Sequence, residues 1–171
     1  MTKGRVLKGL LIFGLLVAFS GPAAALDWGS KELETEKIAI KLTREVVSGG
    51  YGVVRTDELK DWMDMGKKIL IVDTMPLEAS YVTKHIPGAV QFEFPIKEVT
   101  ELDASTHAAY RELLGADQDL LVVVYCGFTK CGRSHNGALW AKKLGYTNVF
   151  RYPGGIKAWA QADYPVAKGK N

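Results

Sequence analysis

From residue 53 onward, short apolar runs alternate with stretches of helical period. KKILIVD (67–73) is apolar and rich in β-branched residues, which predicts a parallel strand buried on both faces. DLLVVVY (119–125) has the same character and is the most strongly buried strand expected in the chain. VFRY (149–152) predicts another strand, and VQFEF (90–94) a short one after the turn HIPGA (85–89). Between these runs the period changes. Thr56 can cap a helix through Gly66 that places Leu59, Trp62 and Met63 on one face. Glu78–Lys84 predicts a turn or two of helix, and Ser105 or Thr106 can cap a helix through Leu114. Ser134–Leu144 is helical, with Ala138, Leu139, Ala141 and Leu144 apolar, and Gly154-Gly155 opens a last helix carrying Ile156, Trp159 and Ala160. Strands alternating with helices at this spacing predict one α/β domain with a mostly parallel central sheet flanked by helices. Trp62, Trp140 and Trp159 fit core or half-buried positions.

The N-terminus follows a different pattern. Lys3, Arg5 and Lys8 precede an apolar run from Leu10 to Phe19, and Ala23-Ala24-Ala25 supply small residues before Leu26. That layout predicts a secretory signal peptide over residues 1–25 and an exported, periplasmic protein. A membrane anchor is the rival reading, but a spanning helix wants ~20 apolar residues and this core has about half that. No stable membrane association is expected after cleavage. Residues 26–50 are charged and only weakly periodic, reading as a linker or N-terminal extension that leads into a short helix. Ser48-Gly49-Gly50 breaks the pattern before the domain proper, residues 51–168.

Removing the signal changes the charge. Of 22 Lys and Arg, three lie in residues 1–25, which leaves 19 against 19 Asp and Glu. A balanced chain without basic clusters predicts no nucleic-acid partner, because phosphate neutralisation needs clustered Lys and Arg.

The candidate chemistry lies in VVVYCGFTKCGRSHNGALW, residues 122–140, which holds both cysteines of the chain. In an oxidising compartment two cysteines form a structural disulfide by default. A Cys126–Cys131 bridge would close a very small loop, and the stabilisation from closing a loop grows with its length. The spacing therefore points to reactive cysteines. Cys126 ends the most buried strand, where open α/β sheets bind ligands. Gly127 and Gly132 let the segment Gly127, Phe128, Thr129, Lys130, Cys131, Gly132 turn sharply and aim N–H groups inward, with Lys130 and Arg133 adding positive charge. Such a cradle before a helix N-terminus stabilises a thiolate and attracts an anionic substrate. Cys126 is then the nucleophile, with a lowered pKa, and residues 127–133 bind substrate. Three histidines (His85, His107, His135) and two cysteines show no metal-ligand spacing, so no metal or other cofactor is expected. His135 reads as an exposed polar position in the first turn of its helix.

Residues 51–168 resemble a single rhodanese domain. The resemblance rests on ILIVD (69–73), HIPGA (85–89), the strand-Cys-loop-Arg-Ser-helix of 121–144, and LGYTNVFRYPGGIKAW (144–159). It implies a thiosulfate sulfurtransferase activity: Cys126 takes a sulfane sulfur from a small anionic donor, thiosulfate or a persulfide, and passes it to cyanide or a thiol. It also implies that loop N–H groups cradle the transferred sulfur, that Arg133-Ser134 close the loop, and that His85 is chiefly structural. Two departures stand out. Six residues separate Cys126 from Arg133, where the family's sulfurtransferases usually have four and its phosphatase relatives five. Asp73-Thr74-Met75 replaces the common Asp-Val-Arg, losing an arginine that often braces the site. Alternatives therefore stay open: a thiol–disulfide, redox-sensing or sulfur-carrier module using Cys126 and Cys131, or a thiolate phosphatase. Cys131 itself reads either as a resolving cysteine or as a small loop residue without a role.

Overall fold

The computed structural model describes residues 31–170. The expected signal segment and the start of the extension lie outside the described residues. Strand β2 (Ile69–Asp73) pairs in parallel with β4 (Leu121–Tyr125), Ile69 opposite Leu121 and Asp73 opposite Tyr125. On the far side of β4 lie β5 (Val149–Tyr152) and then the two-residue β1 (Gly52–Val53). β3 (Val90–Gln91) closes the other edge, so the order is β1-β5-β4-β2-β3, all parallel.

Side-chain alternation along the central strands sorts the core into two layers. Ile71, Val123 and Tyr125 face one side, packed with Leu59 of α2 (Thr56–Asp64) and with Ile156 and Trp159 of α5 (Gly155–Gln161). Val72, Val122 and Val124 face the other, packed with Tyr110 and Leu114 of α3 (Ala104–Leu114) and Ala138 and Ala141 of α4 (Arg133–Lys143). Both sheet faces are covered, which is why the strands read as continuous apolar runs.

The structure alters several expectations. Thr56 is the first residue of α2 rather than its cap, and the carboxylate of Glu58 accepts from the Arg55 N–H. The cap of α3 is Asp103, whose carboxylate accepts from the N–H groups of Ser105 and Thr106 and thereby satisfies two otherwise unpaired donors. Only Val90 and Gln91 of VQFEF are strand, and Glu78–Lys84 begins as a π-helical turn, Leu77–Tyr81.

The largest correction concerns the extension. Residues read as a linker leading into a short helix form one 18-residue helix, α1 (Glu32–Gly49). It stops at Gly50, which adopts a left-handed conformation (φ 64°) and donates its N–H to the Val46 carbonyl. Its less exposed side is Ile38, Leu42, Glu45, Val46 and Gly49, a stripe of helical period that packs against α4. That stripe is narrow and includes a glutamate, so it is faint in the hydrophobic pattern. Among the described residues, no helix is long and apolar enough to cross a membrane.

Candidate active site

Cys126 follows β4 at the carboxyl end of the sheet, and two neighbours fix its backbone. Thr74 bonds the Tyr125 carbonyl through its N–H (2.9 Å) and its hydroxyl (2.7 Å). From the other side, the N–H groups of Ile156 and Lys157 donate to the carbonyls of Cys126 (3.0 Å) and Gly127 (3.1 Å). This approach requires Gly155: its φ is +61°, and a Cβ there would lie 2.2 Å from the Cys126 carbonyl oxygen. The Gly-Gly turn before α5 therefore belongs to the site.

The segment between Cys126 and α4 folds back on itself through a Cys131 N–H to Phe128 carbonyl bond of 3.0 Å. Gly132 sits where a Cβ would lie 2.3 Å from the Ile96 carbonyl, so the expected sharp turn depends on glycine there. Phe128 is exposed, with the Lys157 ammonium 4.6 Å from its ring centroid. Lys130 turns away from the sulfurs and pairs with Glu34 of α1, while its carbonyl accepts from Lys41 (3.0 Å). α1 and the Thr129-Lys130 turn frame a groove of about 330 Å³ beside the site. Arg133 donates to the Phe94 carbonyl and to Glu93 (3.1 Å). Of the two cations expected to face substrate, Arg133 lowers the Cys131 thiol by its charge.

The charge distribution over the two thiols differs from the expectation. Cys126 is fully buried, and its Sγ lies 3.1 Å from the Ser134 hydroxyl and 3.5 Å from the Cys131 carbonyl oxygen. Burial, reinforced by the neighbouring Cys131, pushes the Cys126 thiol well up. Cys131 is lowered to about 6, chiefly by a hydrogen bond from the Cys126 thiol, with help from the N–H groups of Gly127 and Arg133 and against its own partial burial. The loop N–H groups of Gly127 and Arg133 thus favour the thiolate on Cys131 and not on Cys126. The two shifts run in opposite directions, so the first negative charge of the pair falls on Cys131.

A buried arginine, not expected from the sequence, organises this pair. Arg151 of β5 has no exposed side-chain surface. Its Nε donates to the Ser134 hydroxyl (2.9 Å), its Nη2 to the Cys131 carbonyl (2.8 Å), and its Nη1 to Glu45 of α1 (2.5 Å). Burial works against the guanidinium charge, but the bonds and charges of Glu45 and Tyr51 outweigh it and the net shift is upward. Arg151 thus braces the turn that holds both cysteines from a neighbouring strand. The only trace of it in the sequence is a charged residue inside the apolar run VFRY.

His135 is buried, contrary to the exposed position expected, because α1 covers the first turns of α4. Its Nδ1 and the Tyr51 hydroxyl are 2.7 Å apart, and burial lowers its pKa. Asn136 anchors the segment leading away from β3, accepting from the Val99 N–H and donating to the Pro95 and Lys97 carbonyls. His85 lies far from this chemistry in its contacts, stacked on Tyr81 with Nδ1 2.9 Å from the Tyr81 carbonyl. Among the described residues no group of three His, Cys, Asp or Glu could hold a metal ion.

Comparison with known proteins agrees with this architecture. A segment of 110 residues is 33% identical to the probable adenylyltransferase/sulfurtransferase MoeZ of Mycobacterium tuberculosis, covering 63% of this chain but only 24% of that protein. The fold is similar to thiosulfate sulfurtransferase from Pseudomonas aeruginosa (TM-score 0.58, 18% identity, 74% of this chain and 22% of that one). It is also similar to the polysulfide-sulfur transferase homodimer of Wolinella succinogenes (TM-score 0.56, 11% identity, 81% and 92%). Residues 55–162 match the Rhodanese-like domain family, and with the parallel sheet and the strand-end cysteine in place, the chain belongs to that family.

Proposed function

We propose that the protein is a sulfurtransferase in which Cys126 carries a sulfane sulfur from a small anionic donor, thiosulfate or a persulfide, to cyanide or a thiol. The observation that carries this reading is the placement of the Cys126 sulfur at the end of β4, between the Ser134 hydroxyl and the Cys131 thiol. Family membership supports sulfur transfer in general, and the names of the similar proteins point to thiosulfate or polysulfide as donor. The chain spans only a quarter of the length of MoeZ, so the adenylyltransferase half of that name has no counterpart in this reading.

A thiolate on Cys131 suits a two-step reaction. As Cys126 attacks the outer sulfur of thiosulfate, its proton passes to the neighbouring Cys131 thiolate, and sulfite departs with the electron pair of the S–S bond. Arg133 and the loop N–H groups supply partners for anionic charge beside Cys131. Cyanide or a thiolate then attacks the outer sulfur of the Cys126 persulfide and regenerates the thiolate. The three-part N-terminus adds export to this reading, and a native N-terminus at Leu26 in a periplasmic fraction is the result that supports it.

Thiocyanate formation from thiosulfate and cyanide by the reduced protein tests the reaction. Cys126→Ser should abolish turnover with the circular-dichroism spectrum unchanged. Persistent turnover in that variant would assign the chemistry elsewhere.

A further inference from the structure

We propose that Cys131 is a resolving cysteine that attacks the persulfide on Cys126, expels the transferred sulfur as hydrosulfide and leaves a Cys126–Cys131 disulfide. This rests on the reading of Cys126 as sulfur carrier, and adds a second product and a redox cycle to it.

Position comes first. The Cys126 sulfur lies 3.5 Å from the Cys131 carbonyl oxygen, and the two side chains act directly on each other, so the inner sulfur of a Cys126 persulfide lies close to the Cys131 side chain. The contact is built, not incidental. One fully buried guanidinium, Arg151, bonds both the Cys131 carbonyl and the Ser134 hydroxyl, and that hydroxyl touches the Cys126 sulfur. The Cys131 N–H closes the turn onto Phe128, and Gly132 fits against the Ile96 carbonyl. From outside, Glu34 and Lys41 of α1 hold Lys130 by its ammonium and its carbonyl. A small loop residue without a role would not be fixed from three sides. Chemistry agrees: the Gly127 and Arg133 N–H groups and the Arg133 charge favour the thiolate on Cys131, the form that attacks.

The step balances without an outside oxidant. Cys131 thiolate adds to the inner sulfur of Cys126–S–SH, the bond between the two persulfide sulfurs breaks, and hydrosulfide leaves with the electron pair. Both cysteines are oxidised to the disulfide while the sulfane sulfur is reduced to sulfide. From thiosulfate, the sum is one thiosulfate and two cysteine thiols giving sulfite, hydrogen sulfide and one disulfide. A dithiol reductant then reopens the pair. A bridge spanning so few residues belongs with the tight, labile disulfides that exchange readily rather than with structural staples.

The test is a single turnover of the full chain, fully reduced and freed of reductant, with thiosulfate and in parallel with glutathione persulfide. Intact mass and released sulfide are measured for wild type, Cys131→Ser and Cys131→Ala. Wild type should release one sulfide per chain and lose the mass of two hydrogens. Both variants should instead gain the mass of one sulfur atom and release almost none. If wild type keeps the added sulfur as long as the variants do, Cys131 has no resolving role, although Cys126 remains a sulfur carrier. If neither donor adds sulfur to any of the three proteins, the Cys126 reading fails and this inference with it.

Discussion

The buried ion pair between Arg151 and Glu45 offers a direct measure of how far α1 belongs to the site. Glu45→Gln keeps the shape and removes the charge. The Arg151 side chain is fully buried and that of Glu45 is 13% exposed, with 2.5 Å between Nη1 and Oε2. Breaking one side of a buried pair costs ~3–5 kcal/mol, because the remaining charge is left in a medium of low dielectric. Glutamine can still accept a hydrogen bond, Arg151 keeps Ser134 and the Cys131 carbonyl, and Glu45 is not wholly enclosed. The low end therefore applies, about 3 kcal/mol. For a domain of this size, roughly 2–4 °C of melting temperature per kcal/mol gives a fall of ~6–12 °C. Thermal unfolding of wild type, Glu45→Gln and Glu36→Gln measures it. Glu36 lies on the exposed side of the same helix, and its substitution should stay within about 0.5 kcal/mol of wild type. The double variant Glu45→Leu with Arg151→Met should recover part of the loss, since removing both charges also removes the desolvation penalty. A Glu45→Gln protein that melts with the Glu36→Gln control would refute the argument and return α1 to the status of a loosely attached extension.

Two further outcomes follow from the geometry of the turn. Gly155→Ala should lower stability by ~1–3 kcal/mol for the backbone conformation alone. It should also cut thiocyanate formation sharply, because the added Cβ pushes on the Cys126 carbonyl. Wild-type activity in this variant would show that α5 does not position the nucleophile. Alkylation of Cys131 by iodoacetamide, followed by peptide mass analysis, should rise with pH to a plateau with a midpoint at about 6. The sign follows from the thiolate being the reacting form: below the midpoint the thiol is protonated and inert, above it reactive. In Cys126→Ala, which removes the main stabilising hydrogen bond, the midpoint should move up. A wild-type midpoint at the ordinary thiol value of ~8.5 would contradict the stabilised thiolate on Cys131.

Much of this molecule is local, and therefore legible in the chain. β2, β4 and β5 lie buried on both faces, so their residues had to be apolar and β-branched, and the sheet could be read from ILIVD, LVVVY and VFRY. The strand-end cysteine, the glycine-dependent turn and the helix from Arg133 are contiguous, so the sequence alone marks the site's place. What escaped is long-range. The exception is local: Asp103 displaced Ser105 and Thr106 as cap because its carboxylate reaches both N–H groups at once. Residues 32–49 have too narrow an apolar stripe to announce a packed helix; Glu45 docks it only by meeting Arg151, 106 positions away. The polar Ser134-His135-Asn136 is interior because Arg151, Tyr51 and segment 95–99 meet it from elsewhere in the chain, and an expected surface histidine is buried. The charge on the cysteines is decided the same way. Sequence spacing puts both thiols in one turn, but which sulfur meets the N–H groups depends on how Arg151, Ile96 and α1 fold that turn. Local pattern specifies elements and candidate nucleophiles, whereas pKa order depends on burial and on dipoles brought from distant strands, which only the tertiary structure supplies.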